Sequence, residues 1–298
     1  MEKHFKTMTD LAVIILNYNS FDDTNREVDS LLNENFPEES IYVVDNNSKD
    51  RDKIEKLGFQ KKINTILSDH NGGYAYGNNL AIKKAIENGE NYFLLLNPDI
   101  EISLRTIEKL YTDLKEFKNL GIIGPRICYR NDSSKIFSDG GLLFPEQGFM
   151  GGHTNSEQYK EDVKIQEYNY DINYVDGSAL MFKKEILREI GLMNEDFFMY
   201  YEESEWCMRL LKTTNWKIAV NTQYEAYNLA SNRGSFYEYY MTRNRIWVCR
   251  LYNGNTKYVT NERWKLARKA LKKGKFSMAK AYTKGILDGL YSNLQLKK

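Results

Sequence analysis

Over the first 125 positions, apolar residues fall into short unbroken runs that alternate with segments of helical spacing. Leu11–Leu16 (LAVIIL) is wholly apolar and rich in β-branched residues, the pattern of a parallel strand covered on both faces. It ends in Asn17-Tyr18-Asn19-Ser20. Ser20 stands where it would cap a helix over about 21–35, with Asp22 and Asp23 favouring its first turn. Ile41–Val44 is a second strand, closed by Asp45-Asn46-Asn47-Ser48, and a short helix is expected over about 51–57. Asn64–Leu67 is a third, followed by Asn71-Gly72-Gly73. Tyr76, Leu80, Ile82 and Ile86 then give helical spacing across 74–88. Tyr92–Leu96 is a fourth strand, and Leu104, Ile107, Leu110, Tyr111 and Leu114 mark the next helix. This alternation predicts an α/β fold with a mostly parallel central sheet, flanking helices and right-handed crossovers.

After Gly121-Ile122-Ile123-Gly124-Pro125 the pattern changes. Residues 126–172 are rich in Gly, aromatic and polar residues and read as short strands and loops. Tyr174–Phe182 reads as a strand interrupted by Asp176-Gly177-Ser178. Short helices are expected over 183–190 and Glu203–Leu211, a late strand over Trp216–Val220, and helices over 236–251 and about 260–292. No internal repeat or low-complexity linker divides the chain.

Each of the first four strands ends in polar residues: Asn17 and Asn19, Asp45, Gly72 and Gly73, and Asn97-Pro98-Asp99. Proline has no N–H for a ladder and biases the residue before it away from helix, so Asn97-Pro98 stops the fourth strand and leaves a carboxylate at its tip. In open α/β sheets ligands bind beyond such C-terminal ends. The parts present suit a nucleotide site: side-chain acceptors for a base, glycines giving backbone room beside phosphates, and a carboxylate for a hard cation. Strand one leads into NYNS rather than GxGxxG, and no GxxxxGK[ST] occurs, so neither a dinucleotide fingerprint nor a P-loop is present. Taken singly, each turn is equally an ordinary loop cap.

Composition narrows the classes. Three cysteines, Cys128, Cys207 and Cys249, are far apart, and no Cys/His cluster occurs, which suits reduced thiols in a cytosolic protein. With only His4, His70 and His153, a zinc site or a Ser-His-Asp triad is not expected. The segment MEKHFKTMTD has no apolar signal core, and no run of apolar residues is long enough to span a bilayer. A cytoplasmic protein, peripheral at most on the inner face of the cell membrane, is the expectation. The net charge of +1 hides an asymmetry: Tyr252–Lys298 carries 12 Lys/Arg against Glu262 and Asp288, a basic tail on an acidic body.

The motifs ILNYNS, VVDNNSKD, NGGYAYGNNLAI and LLLNPDI, with the later block VDGSALMFKKEILREIGLMNEDFFMYYEESEWCMRL, resemble family 2 glycosyltransferases, and among them the bacterial rhamnosyltransferase-like branch. The resemblance covers about residues 10–245 in order and spacing. It implies a GT-A fold over about 1–250, with a nucleotide-binding half (about 10–125) and an acceptor-binding half (about 126–250), followed by a basic helical extension over 251–298. Carried over by motif, Asn17 and Asn19 would lie beside the nucleotide base and Asp45 would read base or ribose. Gly72, Gly73 and Asn78 would form the loop beside the nucleotide sugar. Asp99 takes the place of the last aspartate of the metal-binding Asp-X-Asp motif, with Asn97 in place of the first. Asp176 and Gly177 match the strand lining the acceptor, joined by Tyr200, Glu202 and Trp206. Glu203 occupies the position of the catalytic aspartate. Asn228 stands where a metal- or pyrophosphate-binding histidine is expected; amide and carboxylate oxygens form a hard donor set, favouring Mg²⁺ over Mn²⁺ or a weak metal requirement.

The implied activity is inverting transfer of rhamnose or another hexose from a nucleoside-diphosphate sugar to a hydroxyl of a glycan acceptor, for surface polysaccharide. Glu203 would be the general base. Asp99 with a divalent cation, helped by Arg233 or Arg243, would stabilise the leaving diphosphate. Tyr200, Tyr201 and Trp206 would wall the sugar and exclude water. Lys265, Arg268, Lys269, Lys272, Lys273, Lys275, Lys280 and Lys284 interleave with Trp264, Leu266, Leu271, Phe276, Met278, Ile286 and Leu287, as in an interfacial helix pair that would suit a lipid-linked acceptor on an anionic membrane. A basic hairpin packed on the domain, or a homodimer contact, is the alternative. Two other functions stay open: a non-catalytic nucleotide-sugar-binding subunit, suggested by Asn228, and a nucleotidyltransferase, disfavoured by the acidic NYNSFDD after strand one. No nucleic-acid-binding signature accompanies the basic tail.

Overall fold

The computed structural model describes residues 8–164, 166–229 and 233–292. The chain starts with β1 (Leu11–Asn17), α1 (Phe21–Asn33), β2 (Ile41–Asp45), α2 (Arg51–Lys61), β3 (Asn64–Leu67), α3 (Gly73–Asn88) and β4 (Tyr92–Leu96). A short β5 (Glu101–Ile102), α4 (Leu104–Glu116) and the long β6 (Leu120–Tyr129) follow. Next come β7 (Asp132–Ser138), β8 (Gly141–Phe144), β9 (Met150–His153), β10 (Tyr168–Asn169), β11 (Ala179–Lys183), α5 (Ile186–Ile190) and α6 (Glu202–Thr213). Then β12 (Lys217–Asn228), α7 (Ser235–Tyr252), α8 (Thr256–Lys272) and α9 (Phe276–Tyr291) complete the described elements.

One sheet runs in the order β10-β12-β6-β11-β4-β1-β2-β3, with β5 paired to β12 and β7 to β6. Strands β3, β2, β1 and β4 are mutually parallel, β6 pairs parallel with β12, and β11 lies antiparallel between β4 and β6. Alternation along the strands divides two cores. Ala12 and Ile14 of β1 face α3 and α6, whereas Leu11, Val13 and Ile15 face α1, α2 and α4. Cover on both faces is why these strands read as unbroken apolar runs.

The elements differ from the sequence expectation where local pattern and tertiary pairing disagree. Ser20 sits at the N-cap position without a side-chain cap, since the Asn17 Oδ1 accepts from the Ser20 N–H and the Thr24 hydroxyl instead. Helix α2 continues to Lys61. The strand expected over 174–182 is confined to Ala179–Lys183, preceded by a turn at Gly177-Ser178. The late strand is far longer than 216–220, because β12 keeps pairing with β6 as far as Asn228↔Tyr129. Its ladder breaks opposite Pro125, between Asn221 and Glu225, where proline offers no N–H. The last helical span splits at Lys273-Gly274-Lys275, with Gly274 at φ +66°.

Trp206, expected as an acceptor wall, is fully buried. Its ring meets Phe182 of β11 edge-on at 4.9 Å, and Nε1 donates to the Gly191 carbonyl at 2.9 Å. Trp206→Ala should therefore lower stability by about 3–5 kcal/mol, as large core truncations do, measured by chemical denaturation.

Candidate active site

The tips of β1 and β2 are laced together beneath the surface. Asn17 and Asp45 are paired in register and neither is exposed. The Asn17 amide donates to Asp45 Oδ1 at 2.8 Å and Ser48 Oγ at 3.0 Å, and the Ser48 N–H donates to Asp45 Oδ2 at 2.9 Å. Burial and these bonds tie Asn17 and Asp45, both expected beside the base, into the loop that joins the strand tips. Asn19 is exposed, held at φ +54° by its N–H donating to Ser48 Oγ and its side-chain oxygen accepting from the Lys49 N–H.

Asn46 extends the lacing to the third tip. Its amide donates to Asn71 Oδ1 and the Gly73 carbonyl, and its oxygen accepts from the Gly72 N–H. Gly73 then meets the other half of the protein. At φ +88°, an added Cβ there would lie 1.9 Å from the Phe198 carbonyl oxygen. The Tyr74 N–H donates to that same oxygen at 2.7 Å. Asn78, expected beside the nucleotide sugar, is buried with its amide donating to the Tyr74 carbonyl one turn earlier.

The loop that receives Gly73 is strained. Phe198, Tyr200 and Tyr201 all have positive φ, at 63°, 70° and 73°. Asn244 of α7 clamps it, its amide within 2.7–3.0 Å of the carbonyl oxygens of Phe197, Met199 and Tyr200. Arg243 donates to the Asp196 and Phe197 carbonyls and stacks on Tyr240 and Trp247. Its Nε and Nη2 are thereby engaged within the protein. Arg233 is exposed and lies over Tyr237.

This loop leads into α6, whose first turn carries three acids with separate fates. Glu205 is fully buried and bonded to Arg209 and the Tyr252 hydroxyl. Glu202 is buried, its Oε2 has no hydrogen-bond partner, and burial and then Glu203 push its carboxyl well above the usual range. Glu203 lies under Gly177, where an added Cβ would stand 3.2 Å from Glu203 Cγ. Burial, and then the charge of Asp176, push the Glu203 carboxyl up to about 7. The Tyr74 hydroxyl donates to the Gly177 carbonyl at 2.5 Å. Asp176 caps its own turn through the N–H and hydroxyl of Ser178, and its other oxygen is 3.5 Å from His153 Nε2. Tyr200 packs edge-on to Tyr237 beside this group.

The fourth tip lies against β11, with the Asn97 N–H donating to the Ser178 carbonyl at 2.9 Å. Burial, and with it the charges of Asp23 and Asp176, raises the Asp99 carboxyl, against the lowering effect of Arg130. Arg130 gathers this corner: its guanidinium donates to the Asp99 carbonyl and pairs with Glu101, and its N–H donates to the Asn228 carbonyl at 2.8 Å. Asn228 therefore ends β12 close to Asp99, and its side-chain Oδ1 is buried without a partner. A desolvated carboxylate and an orphaned amide oxygen fit a hard divalent cation. Among the described residues no group of three or more His, Cys, Asp or Glu gathers as a metal cluster, so most ligands would have to come from donor and water.

The structure thus brings Asn97, Asp99, Asp176, Gly177, Glu203 and the Gly72-Gly73 turn to one side of the sheet, and buries Asn17, Asp45, Asn78 and Trp206. Tyr74, Arg130, His153 and Asn244 were missed by sequence reasoning. Tyr74 follows a diglycine, and His153 is one of three histidines, but only contacts across more than 100 residues reveal the Tyr74 role.

Comparison with known proteins adds the following. The family model described as glycosyl transferase family 2 matches residues 12–191. The chain is 32% identical over 208 residues to the low-salt glycan biosynthesis hexosyltransferase Agl10 of Haloferax volcanii, covering 68% of this chain and 62% of that one. It is 25% identical over 205 residues to the dTDP-rhamnosyl transferase RfbF of Shigella flexneri, covering 68% and 64%. It therefore spans less than two thirds of either relative. A mannosyltransferase from Pyrobaculum calidifontis, solved with GDP-Man and Mn²⁺, superposes with a TM-score of 0.58 at 12% identity, over 96% of this chain and 88% of that one. GalNAc-T7, solved with UDP, GalNAc and Mn²⁺, gives 0.59 at 13% identity, over 96% and 57%. At such identity these two establish the GT-A fold and no more.

Gly73→Ala should separate assembly from chemistry. A Cβ in the left-handed region costs about 1–2 kcal/mol before the collision with Phe198 is counted. The variant should melt well below wild type, and hydrogen exchange should rise in 194–201.

Proposed function

The chain belongs to glycosyl transferase family 2, and on that footing we propose that it moves a hexosyl unit, rhamnose or a related sugar, from a nucleoside-diphosphate donor to a hydroxyl of a glycan, lipid-linked acceptor, with inversion. The observation that carries this reading is Glu203. It is a desolvated carboxylate at the start of α6, directly under Gly177 and in the field of Asp176, whose charge also reaches Asp99. A carboxyl held near neutrality suits a base that must accept a hydroxyl proton and later release it. A base on the face opposite the leaving diphosphate gives one in-line displacement and inversion.

Asp176, pinned by Ser178 and facing His153, is suited to orient acceptor hydroxyls beside Glu203. Burial, and then Glu203, raise the Glu202 carboxyl, which favours its protonated form beside Glu203. Tyr74 and the 198–201 loop exclude water, which would otherwise hydrolyse the donor. Asp99 and Asn228 would hold the divalent cation, Mg²⁺ by their all-oxygen chemistry. Bound there, it would neutralise charge building on the departing diphosphate. Exposed Asn19 and the Gly72-Gly73 turn remain for the nucleotide.

Glu203→Gln should reduce transfer by about 10²–10⁴-fold with the fold intact, measured with a hydrolysable donor and product chromatography. Near wild-type transfer would remove the base assignment. In wild type, kcat/KM should climb with pH and level off above about 7, because only ionised Glu203 accepts a proton. Stability carries the opposite sign. Between 4.5 and about 7 the folded chain holds a proton that the unfolded chain has lost, so this group costs stability as pH rises. Glu203→Gln should match wild-type melting temperature at acid pH and exceed it in alkali.

A second reading, a nucleotide-sugar-binding subunit without catalysis, is motivated by Asn228, an amide where a metal- or pyrophosphate-binding histidine is expected. Donor turnover in EDTA and after return of Mg²⁺ or Mn²⁺ separates the two. Transfer should vanish on chelation and return with Mg²⁺, and Asn228→Ala should raise the Mg²⁺ needed. A protein that binds the donor but turns it over under no condition would be the non-catalytic subunit.

A further inference from the structure

Helices α8 and α9 form a hairpin whose turn, Leu271-Lys272-Lys273-Gly274-Lys275-Phe276, is exposed at every position. Leu271 is 52% exposed and Phe276 71%. The rest of the hairpin has partners. Ala267, Ala270, Ala279 and Tyr282 make a small core with Leu266 and Met278, and Ile286 is buried in the main core. Gly285 and Gly289 let α9 lie close on α7, where an added Cβ would come within 2.8 Å of the Tyr239 carbonyl and 3.1 Å of the Arg243 carbonyl. Arg245–Glu262 and Arg263–Glu238 ion pairs fix α8 to α7. The hairpin is thus held by its inner faces, and its two apolar tip residues contribute little to that packing.

Charge at the tip is of one sign. Residues 263–287 contain nine Lys/Arg and no Asp or Glu. Arg263 and Lys284 are paired, with Glu238 and Asp288. The other seven are exposed and form no ion pair among the described residues; Lys269, Lys272, Lys273 and Lys275 flank Leu271 and Phe276 along the chain.

We propose that this tip inserts into the headgroup region of an anionic lipid bilayer, with Leu271 and Phe276 at the acyl boundary and the lysines in the phosphate layer. Two large apolar side chains on a rigid turn, flanked by flexible cations that can reach back to phosphates, match an interface that is apolar at depth and anionic above it. A second copy of the chain would bring two unneutralised basic tips together. A purely polyanionic partner would leave Leu271 and Phe276 without a role. The proposal deepens the lipid-linked acceptor reading. It also ties the membrane to the site, because α7 supports the hairpin on one side and clamps the loop before Glu203 through Asn244 on another.

The experiment is flotation of the full chain with phosphatidylglycerol–phosphatidylcholine vesicles and with pure phosphatidylcholine vesicles, which needs no activity. Failure here would therefore leave the glycosyl-transfer reading to its own assay. The chain should float only with the anionic vesicles, and less as salt rises. Leu271→Ser with Phe276→Ser, and separately Lys272→Glu with Lys273→Glu and Lys275→Glu, should each weaken partition by about tenfold or more at an unchanged melting temperature. No flotation, or flotation indifferent to both sets of variants, overturns the proposal. So does a concentration-dependent dimer that the serine pair abolishes, which would make the tip a contact between copies.

Discussion

The hydrogen bond from the Tyr74 N–H to the Phe198 carbonyl is the contact on which the site depends. It closes only because residue 73 is glycine: a side chain there would occupy the position of the acceptor oxygen. On one side it fixes the start of α3, which Asn46 ties back to the tips of β1 and β2. On the other it fixes a loop with three aromatic residues in left-handed backbone, a conformation that persists only when its surroundings over-determine it. Asn244, Arg243 and the Tyr201 hydroxyl on Phe149 supply the rest of that determination. The loop delivers Glu203 to Gly177, and the Tyr74 hydroxyl completes the closure at the Gly177 carbonyl. Two distant parts of the chain are joined through a handful of backbone acceptors.

That junction concentrates acids. Asp99, Asp176, Glu202 and Glu203 influence one another, and the cation within their reach at the β4 tip, Arg130, is engaged by Glu101 and the Asp99 carbonyl. Desolvation is the largest cause of the upward shifts at Asp99, Glu202 and Glu203, with like charge added. Arg243 offsets part of this at Glu202, and the rest favours a ligand that brings positive charge or the retention of protons. The proposed glycosyl transfer would use both, with a divalent cation brought beside Asp99 and a proton exchanged at Glu203. The strain stored in the loop and the burial of Glu202 are stability spent on this arrangement.

The alternating apolar runs and helical spacings determined the β1–β4 half, including the strand tips, because a strand covered on both faces must be apolar throughout and must stop at residues such as Pro98. Its motif order also carried the family. What the linear pattern left open was the direction in which each polar residue spends its bonds. Asn17, Asp45 and Asn78 read as ligand contacts and are buried, and Trp206 read as a wall and is core, because burial depends on what packs above a position. The length of β12 and the place of Asn228 follow from pairing with β6, a non-local fact. The roles of Tyr74, Arg130 and Asn244 rest on contacts tens to over a hundred residues away. Local periodicity reports which face of an element is apolar; only the tertiary structure decides which polar atoms are satisfied inside and which are left to meet a substrate.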